Sequence, residues 1–357
     1  FVLDQREARN VVDHPEAAFF VRNRDPHNRG RRYDFLNRLR GPDQFGGTLF
    51  TEQDINNAIM GVAPIPSNDV VGHGTHVAGI AAGNGRATSN NFPPFQYVGL
   101  APEADLIIVK ATRVQGSNSF ESTDYFNALA FIDSVAAVLG KPYVANMSLG
   151  GNDGPHDGTL LEEQAIDQLI GNGHPGKVVV IASGNDGDKD IHISGTFTEA
   201  VTSYESKLKI EEFEANSSTY DDFVLLEMWY DGTASHSVKL IGPGGTEYGP
   251  VSSGSEFSRN TDNGAINILN APDGTNPYNN DKQVVIQLFD ATADKPLKSG
   301  DWKIVVSGTS GRFDVWMSGA SMSPAPEFSG NVDETMLVAN PGSSREPITV
   351  GAHVTKT

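Results

Sequence analysis

Apolar residues recur along the chain in two rhythms, and the change between them divides it. Between residues 71 and 194 short apolar runs alternate with helical periodicities. Ala104 to Lys110 (Ala-Asp-Leu-Ile-Ile-Val-Lys), Tyr143 to Met147 and Lys177 to Ser183 read as buried strands. Ser122 to Leu139 has apolar residues at helical spacing and stops at Gly140; Leu160 to Ile170 does the same and stops at Gly171. Strands alternating with helices predict an α/β unit, a parallel sheet flanked by helices. Sites in such units sit in loops at the carboxyl ends of the strands.

From about residue 195 to 330 the pattern becomes strand after strand. Lys207–Ile210, Phe223–Tyr230, Ser237–Ile241, Ile266–Leu269, Val284–Phe289, Trp302–Val306 and Phe313–Met317 are strand-like runs separated by turn residues such as Gly242-Pro243-Gly244-Gly245. Without a helix-length periodic stretch between them, they predict an all-β sandwich of the jelly-roll kind. Pro347 to Gly351 then returns to a buried-strand pattern. The expected organisation is residues 1–194 as the first part of an α/β domain, 195–330 as an inserted sandwich, and 331–357 as the return. The first 65 residues are irregular, apart from a short helix after Thr51, which has the composition of a capped start.

Composition narrows the function. The 357 residues carry a net charge of −19, which argues against a nucleic-acid partner. There is no cysteine, hence no disulfide framework, thiolate metal site or cysteine nucleophile. No apolar run reaches the roughly 20 residues of a membrane span. The first residue is Phe1, so a processed or truncated chain is expected.

Three segments carry candidate chemistry. Gly72-His73-Gly74-Thr75-His76-Val77-Ala78-Gly79-Ile80-Ala81-Ala82-Gly83 suits an imidazole presented at the start of a closely packed helix. A purely structural histidine is the bland alternative. Zinc would need two histidines at i,i+4 with a glutamate between; His73 and His76 are three apart and lack it. Asn146-Met147-Ser148-Leu149-Gly150-Gly151 ends one strand with small residues and an open backbone edge. Ala182-Ser183-Gly184-Asn185 ends the next with a carboxamide that can donate to a developing oxyanion.

Together with Tyr97-Val98-Gly99-Leu100-Ala101-Pro102 and Ile348-Thr349-Val350-Gly351-Ala352, these segments resemble the subtilisin-like (S8) serine peptidases. The inserted sandwich, Thr51-Glu52-Gln53-Asp54-Ile55-Asn56 and Pro66-Ser67-Asn68-Asp69 are similar to the Csp-type subtilases of clostridial spore germination. The resemblance implies a bacterial serine endopeptidase with His73 as general base, Asn185 as oxyanion donor and His76 as a structural residue. Ser148, Leu149 and Gly150 would pair with substrate backbone, and Ala182, Ser183 and Gly184 would line the opposite wall. It further implies a polypeptide substrate, no required cofactor, and an extracellular, envelope or spore setting. A propeptide or the remaining C-terminal segment of the same protease is a further expected partner.

Two family features lack a match. The Asp-Thr-Gly sequence of the catalytic aspartate does not occur. Asp4, after the apolar Phe1-Val2-Leu3, is the candidate; Asp13, an aspartate lost upstream or a replaced aspartate are the alternatives. The nucleophilic serine, expected as Gly-Thr-Ser-Met-Ala-x-Pro after the Ile-Thr-Val-Gly-Ala strand, is also missing. Gly319-Ala320-Ser321-Met322-Ser323-Pro324 precedes that strand, and its prolines would break the helix the family serine begins, so it reads as a sandwich loop. The serine is therefore expected beyond residue 357. A catalytically inactive pseudoprotease, acting as a binding or signalling module, is the rival expectation. Asp186, Asp188 and Asp190 alternate as in calcium loops, but the glycine and glutamate of a complete loop are absent; calcium there is the weaker reading against a solvated acidic loop.

Overall fold

Two compact units follow from the two rhythms. The computed structural model describes residues 2–3, 18–22, 48–65, 67, 69, 71–86, 92–111, 122–215, 221–292 and 295–353. The first unit comprises 1–150, 161–182 and 344–357; the second comprises 151–160 and 183–343. The apolar pattern alone had placed the divisions at 194/195 and 330/331, because the loops flanking the sandwich carry no strand signal.

In the first unit the elements are β1 (Val2–Leu3), β2 (Ala18–Arg22), α1 (Glu52–Ile59), α2 (His73–Ala82), β3 (Ala104–Ile108), α3 (Ser122–Leu139), β4 (Tyr143–Met147), α4 (Leu161–Ile170), β5 (Lys177–Ala182) and β17 (Ile348–Val350). α1 begins at Thr51 with a capping box: the Thr51 side chain accepts from the Asp54 amide, and the Asp54 carboxylate accepts from the Thr51 amide. α3 buries Ala128, Leu129, Ile132, Val135 and Ala136, spaced as one face of a helix requires. It stops where Gly140 turns left-handed (φ +61°), and the Lys141 amide donates to the Ala136 carbonyl at 3.1 Å, a Schellman closure.

The sheet runs β1-β3-β2-β4-β5-β17. β4, β5 and β17 are parallel, as the alternating pattern predicts. β1 and β2 pair antiparallel with their neighbours, and β2 lies between β3 and β4. A strand outside the strand–helix alternation has no crossover to satisfy and is free to pair antiparallel. Ile107, Ile132, Met147, Ile166, Val179 and Ile181 fill the core between sheet and helices.

The second unit holds β6 (His192–Phe197), β7 (Ser203–Ile210), β8 (Phe223–Asp231), β9 (Ser237–Ile241), β10 (Glu247–Ser252), β11 (Ser255–Thr261), β12 (Gly264–Asn270), β13 (Asp281–Phe289), β14 (Gly300–Ser307), β15 (Gly311–Ala320) and β16 (Glu327–Ser329). They form two antiparallel sheets, β10-β9-β14-β7-β16 and β11-β12-β13-β8-β15-β6. Burial alternates along the strands, so Leu208, Ile210, Trp302, Ile304 and Val306 from one sheet meet Ile266, Ile268, Val284, Ile286 and Leu288 from the other. Truncating one of these, such as Ile286→Ala, would cost about 2–5 kcal/mol.

Candidate active site

α2 presents His73 as its first residue, exposed to solvent. Gly72 precedes it with φ +84°, a left-handed position that glycine adopts without strain. No side chain of the cap residue satisfies the helix's first amides. Asp69 does so from further upstream. One carboxylate oxygen accepts from the amides of Val71 (3.1 Å) and Gly72 (2.6 Å); the other accepts from the amide (3.1 Å) and hydroxyl (2.7 Å) of Thr75. Burial works to raise the Asp69 carboxyl, but the hydrogen bonds from Thr75, Gly72 and Val71 outweigh it and hold the group below its usual range.

The far end of α2 is held by backbone. The amides of Gly99, Leu100 and Ala101 donate to the carbonyls of Gly83, Ile80 and Ala81 at 2.7, 3.1 and 2.8 Å. Only glycine fits at 99, because a Cβ there would lie 2.4 Å from the Gly83 nitrogen. Ala82 packs with Ala104 and Ile108 of β3, so small residues do let the helix approach the sheet. His76 is exposed one turn on from His73.

β4 and β5 are parallel, with Met147 opposite Ile181, so their carboxyl ends leave the same edge of the sheet. β4 leads into Ser148-Leu149-Gly150, where the Asn146 carboxamide donates to the Ser148 hydroxyl at 2.9 Å. β5 ends at Ala182, the last residue of the first unit before Ser183 and Gly184 of the second. Gly184 has φ +96°. Asn185 follows it, exposed. His73 belongs to the first unit and Asn185 to the second.

Within the second unit the segment around Ala339 and Asn340 ties together residues the sequence reading did not connect. The Ala339 amide donates to the Ser183 carbonyl at 2.9 Å. Asn340 and Gly151 exchange backbone bonds at 2.8 and 3.0 Å, and the Asn340 carboxamide also accepts from Gly151 and donates to the Asp153 carbonyl. A Cβ on Gly184 would come within 2.8 Å of the Ala339 Cβ.

Asp4 lies outside the described residues, as does Asp13. Ser321 closes β15: its hydroxyl accepts from the Phe223 amide at 2.8 Å, and its own amide donates to the Phe223 carbonyl. Asp186 binds the Asn152 carboxamide (2.8 Å) and Lys189. Burial opposes these bonds, yet they hold its carboxyl below the usual range. Asp188 and Asp190 are exposed beside it. Among the described residues, the side chains close enough to share a metal ion are instead His192, Asp314 and Asp333, with donor atoms within 4.8 Å. Arg312 bridges those two carboxylates at 2.6 and 2.8 Å, so a guanidinium already supplies the positive charge.

Sequence reasoning assigned no role to Asp69. An acidic residue a few positions ahead of a helix start was the available signal. Ala339 and Asn340 gave none, because their partners lie more than 150 residues away.

A profile of the subtilase family matches residues 50–266. The chain belongs to the subtilase family. It is 34% identical over 147 residues to an intracellular serine protease of Paenibacillus polymyxa, covering 41% of this chain and 36% of that protein. It is 38% identical over 146 residues to the major intracellular serine protease of Bacillus subtilis (strain 168), covering 41% and 37%. The chain thus spans little more than a third of these curated relatives. Among solved structures, the CspB protease of Clostridium perfringens superposes with a TM-score of 0.71 at 26% identity, covering 87% of this chain and 62% of that one. The α/β unit with an inserted β sandwich, expected from the two rhythms, and its subtilisin-like fold, implied by the resemblance, are the architecture of this subtilase. No helix among the described residues is long and apolar enough to cross a membrane.

Proposed function

We propose that this chain is the histidine- and oxyanion-bearing part of a serine endopeptidase. The observation that carries the reading is His73, solvent-exposed as the first residue of a helix held at both ends, in a chain of the subtilase family. His73 takes the proton of a serine hydroxyl supplied by chain outside residues 1–357 as that oxygen attacks the peptide carbonyl. The Asn185 carboxamide donates to the resulting oxyanion. The proton passes from His73 to the leaving amine, and water then hydrolyses the acyl-enzyme. Ser148, Leu149 and Gly150 bind the substrate backbone as an added strand, and Ala182, Ser183 and Gly184 form the opposing wall. No cofactor takes part. In the full-length protein, His73→Ala should lower peptide cleavage at least about 100-fold; retained cleavage would refute the assignment.

A second reading is a pseudoprotease that binds without cleaving: no Asp-Thr-Gly sequence occurs in residues 1–357. A fluorophosphonate probe separates the two, since labelling of a serine excludes the pseudoprotease.

A further inference from the structure

In the second unit three aromatic rings are stacked far from one another in sequence. The His156 and His192 imidazoles each lie 4.5 Å from the Trp316 indole, at interplanar angles of 18° and 4°. Trp316, His192 and His156 are all buried. Their positions are fixed by different elements: His192 opens β6, Trp316 is in β15, and His156 sits in the loop after Gly151.

One nitrogen of each ring reaches the same strip of backbone. His192 Nδ1 contacts the carbonyls of Asp333 (3.1 Å) and Thr335 (2.9 Å). The Trp316 indole N–H donates to the Met336 carbonyl at 3.1 Å. His156 Nδ1 contacts the Val338 carbonyl at 2.7 Å. His156 Nε2 also lies 3.3 Å from the Asn152 carbonyl. The other nitrogen of His192 faces the Asp314 carboxylate at 3.0 Å, which holds that ring in place from behind. The strip continues without a break into Ala339 and Asn340, the residues bonded to Ser183 and Gly151.

We infer that His156, Trp316 and His192 are positioning residues that set the substrate wall at Ser183 and Gly184 by fixing the backbone of residues 333–340. Nothing in the stack touches substrate. It acts through the Ala339 amide, whose bond to the Ser183 carbonyl holds the chain just before Asn185. The sandwich strands β6 and β15 thereby contribute to peptide recognition as well as to bracing the fold. The functional half of this inference rests on the peptidase reading above.

The test uses the full-length protein with Trp316→Phe and His156→Phe, which keep an aromatic ring but remove the bonds to Met336 and Val338. Amide hydrogen exchange is read at Ala339, Asn340 and Gly151. Exchange there should quicken about 10-fold or more. For fluorescein-labelled casein peptides, KM should rise roughly 5-fold while turnover of a small p-nitrophenyl ester stays within about twofold. Ile286→Val, in the sandwich core and away from the stack, should lower the melting temperature and leave KM unchanged. Unchanged exchange in both variants overturns the inference. So does faster exchange with unchanged KM, or a KM rise equal to that of Ile286→Val. Should the wild type neither cleave the peptides nor label with a fluorophosphonate, the peptidase reading fails instead. The exchange rates, with the affinity for the same labelled peptides, then decide the inference.

Discussion

The Asp69 carboxylate holds both the amide and the hydroxyl of Thr75, six residues downstream, across the start of the helix that bears His73. A helix leaves its first amides without partners, and Asp69 answers for that deficit where no cap side chain does. Asp69→Ala should cost about 1–2 kcal/mol of stability. On the proposed peptidase reading it should also lower kcat while sparing KM, because the imidazole loses its fixed presentation. Asp69→Asn keeps one of the two acceptor oxygens and should restore only part of the stability. Thermal melts and steady-state kinetics on the full-length protein check both.

Asn185 follows the left-handed Gly184 and is exposed. Asn185→Leu should keep the side chain's bulk but not its N–H donors. Expected is a fall of about 100–1,000-fold in kcat with KM little changed. A fall in KM-linked binding alone would assign Asn185 to substrate contact.

Glu227 of β8 is buried, accepting from the Gly154 amide at 3.2 Å and the Gln283 carboxamide at 2.8 Å. Burial pushes its carboxyl above the ordinary value, against those two hydrogen bonds. A raised folded-state value means that Glu227 favours the fold most below the unfolded carboxyl range. That contribution is lost as pH rises through the folded-state value. Glu227→Gln should therefore raise the melting temperature by about 2–4 °C at pH 8 and do little at pH 4. A lower melting temperature at pH 8 would mean that the ionised form is well compensated.

Burial lowers the proton affinity of His156, more than its backbone bonds to Val338 and Asn152 raise it. The neighbouring His192 ring adds to the lowering, and the Asp153 carboxylate works against it. Between the lowered folded value and the ordinary unfolded value near ~6.5, the unfolded chain binds more protons. Stability from this site is thus complete above that range and is lost as pH falls. Wild type should lose more stability than His156→Phe between pH 7.5 and 5.5, by at most about 1.4 kcal/mol per pH unit. Parallel denaturant titrations at the two pH values measure it.

The elements that position the site were largely legible. Ser122–Leu139 and Tyr143–Met147 have the bounds their apolar spacing gave, because a buried face leaves an unbroken pattern. β10 and β11 were not. Glu247-Tyr-Gly-Pro-Val-Ser holds a turn dipeptide at a bulge between Tyr248 and Val251, where an edge strand tolerates proline. Ser255–Thr261 is an exposed edge whose residues need not be apolar. In the site, His73 announced itself by its neighbours in sequence. The stack on Trp316 could not, since its three rings come from positions 156, 192 and 316 and no local spacing links them.

Gly184 and Ala339 are the two sides of one small space: a methyl on Gly184 would meet the one already on Ala339. The site holds room for a single Cβ, and the left-handed turn at 184 assigns it to 339. These two positions therefore cannot diversify independently. Enlarging Ala339 leaves its neighbour nothing to give up, and Ala339→Gly would free volume that position 184 still could not fill without strain.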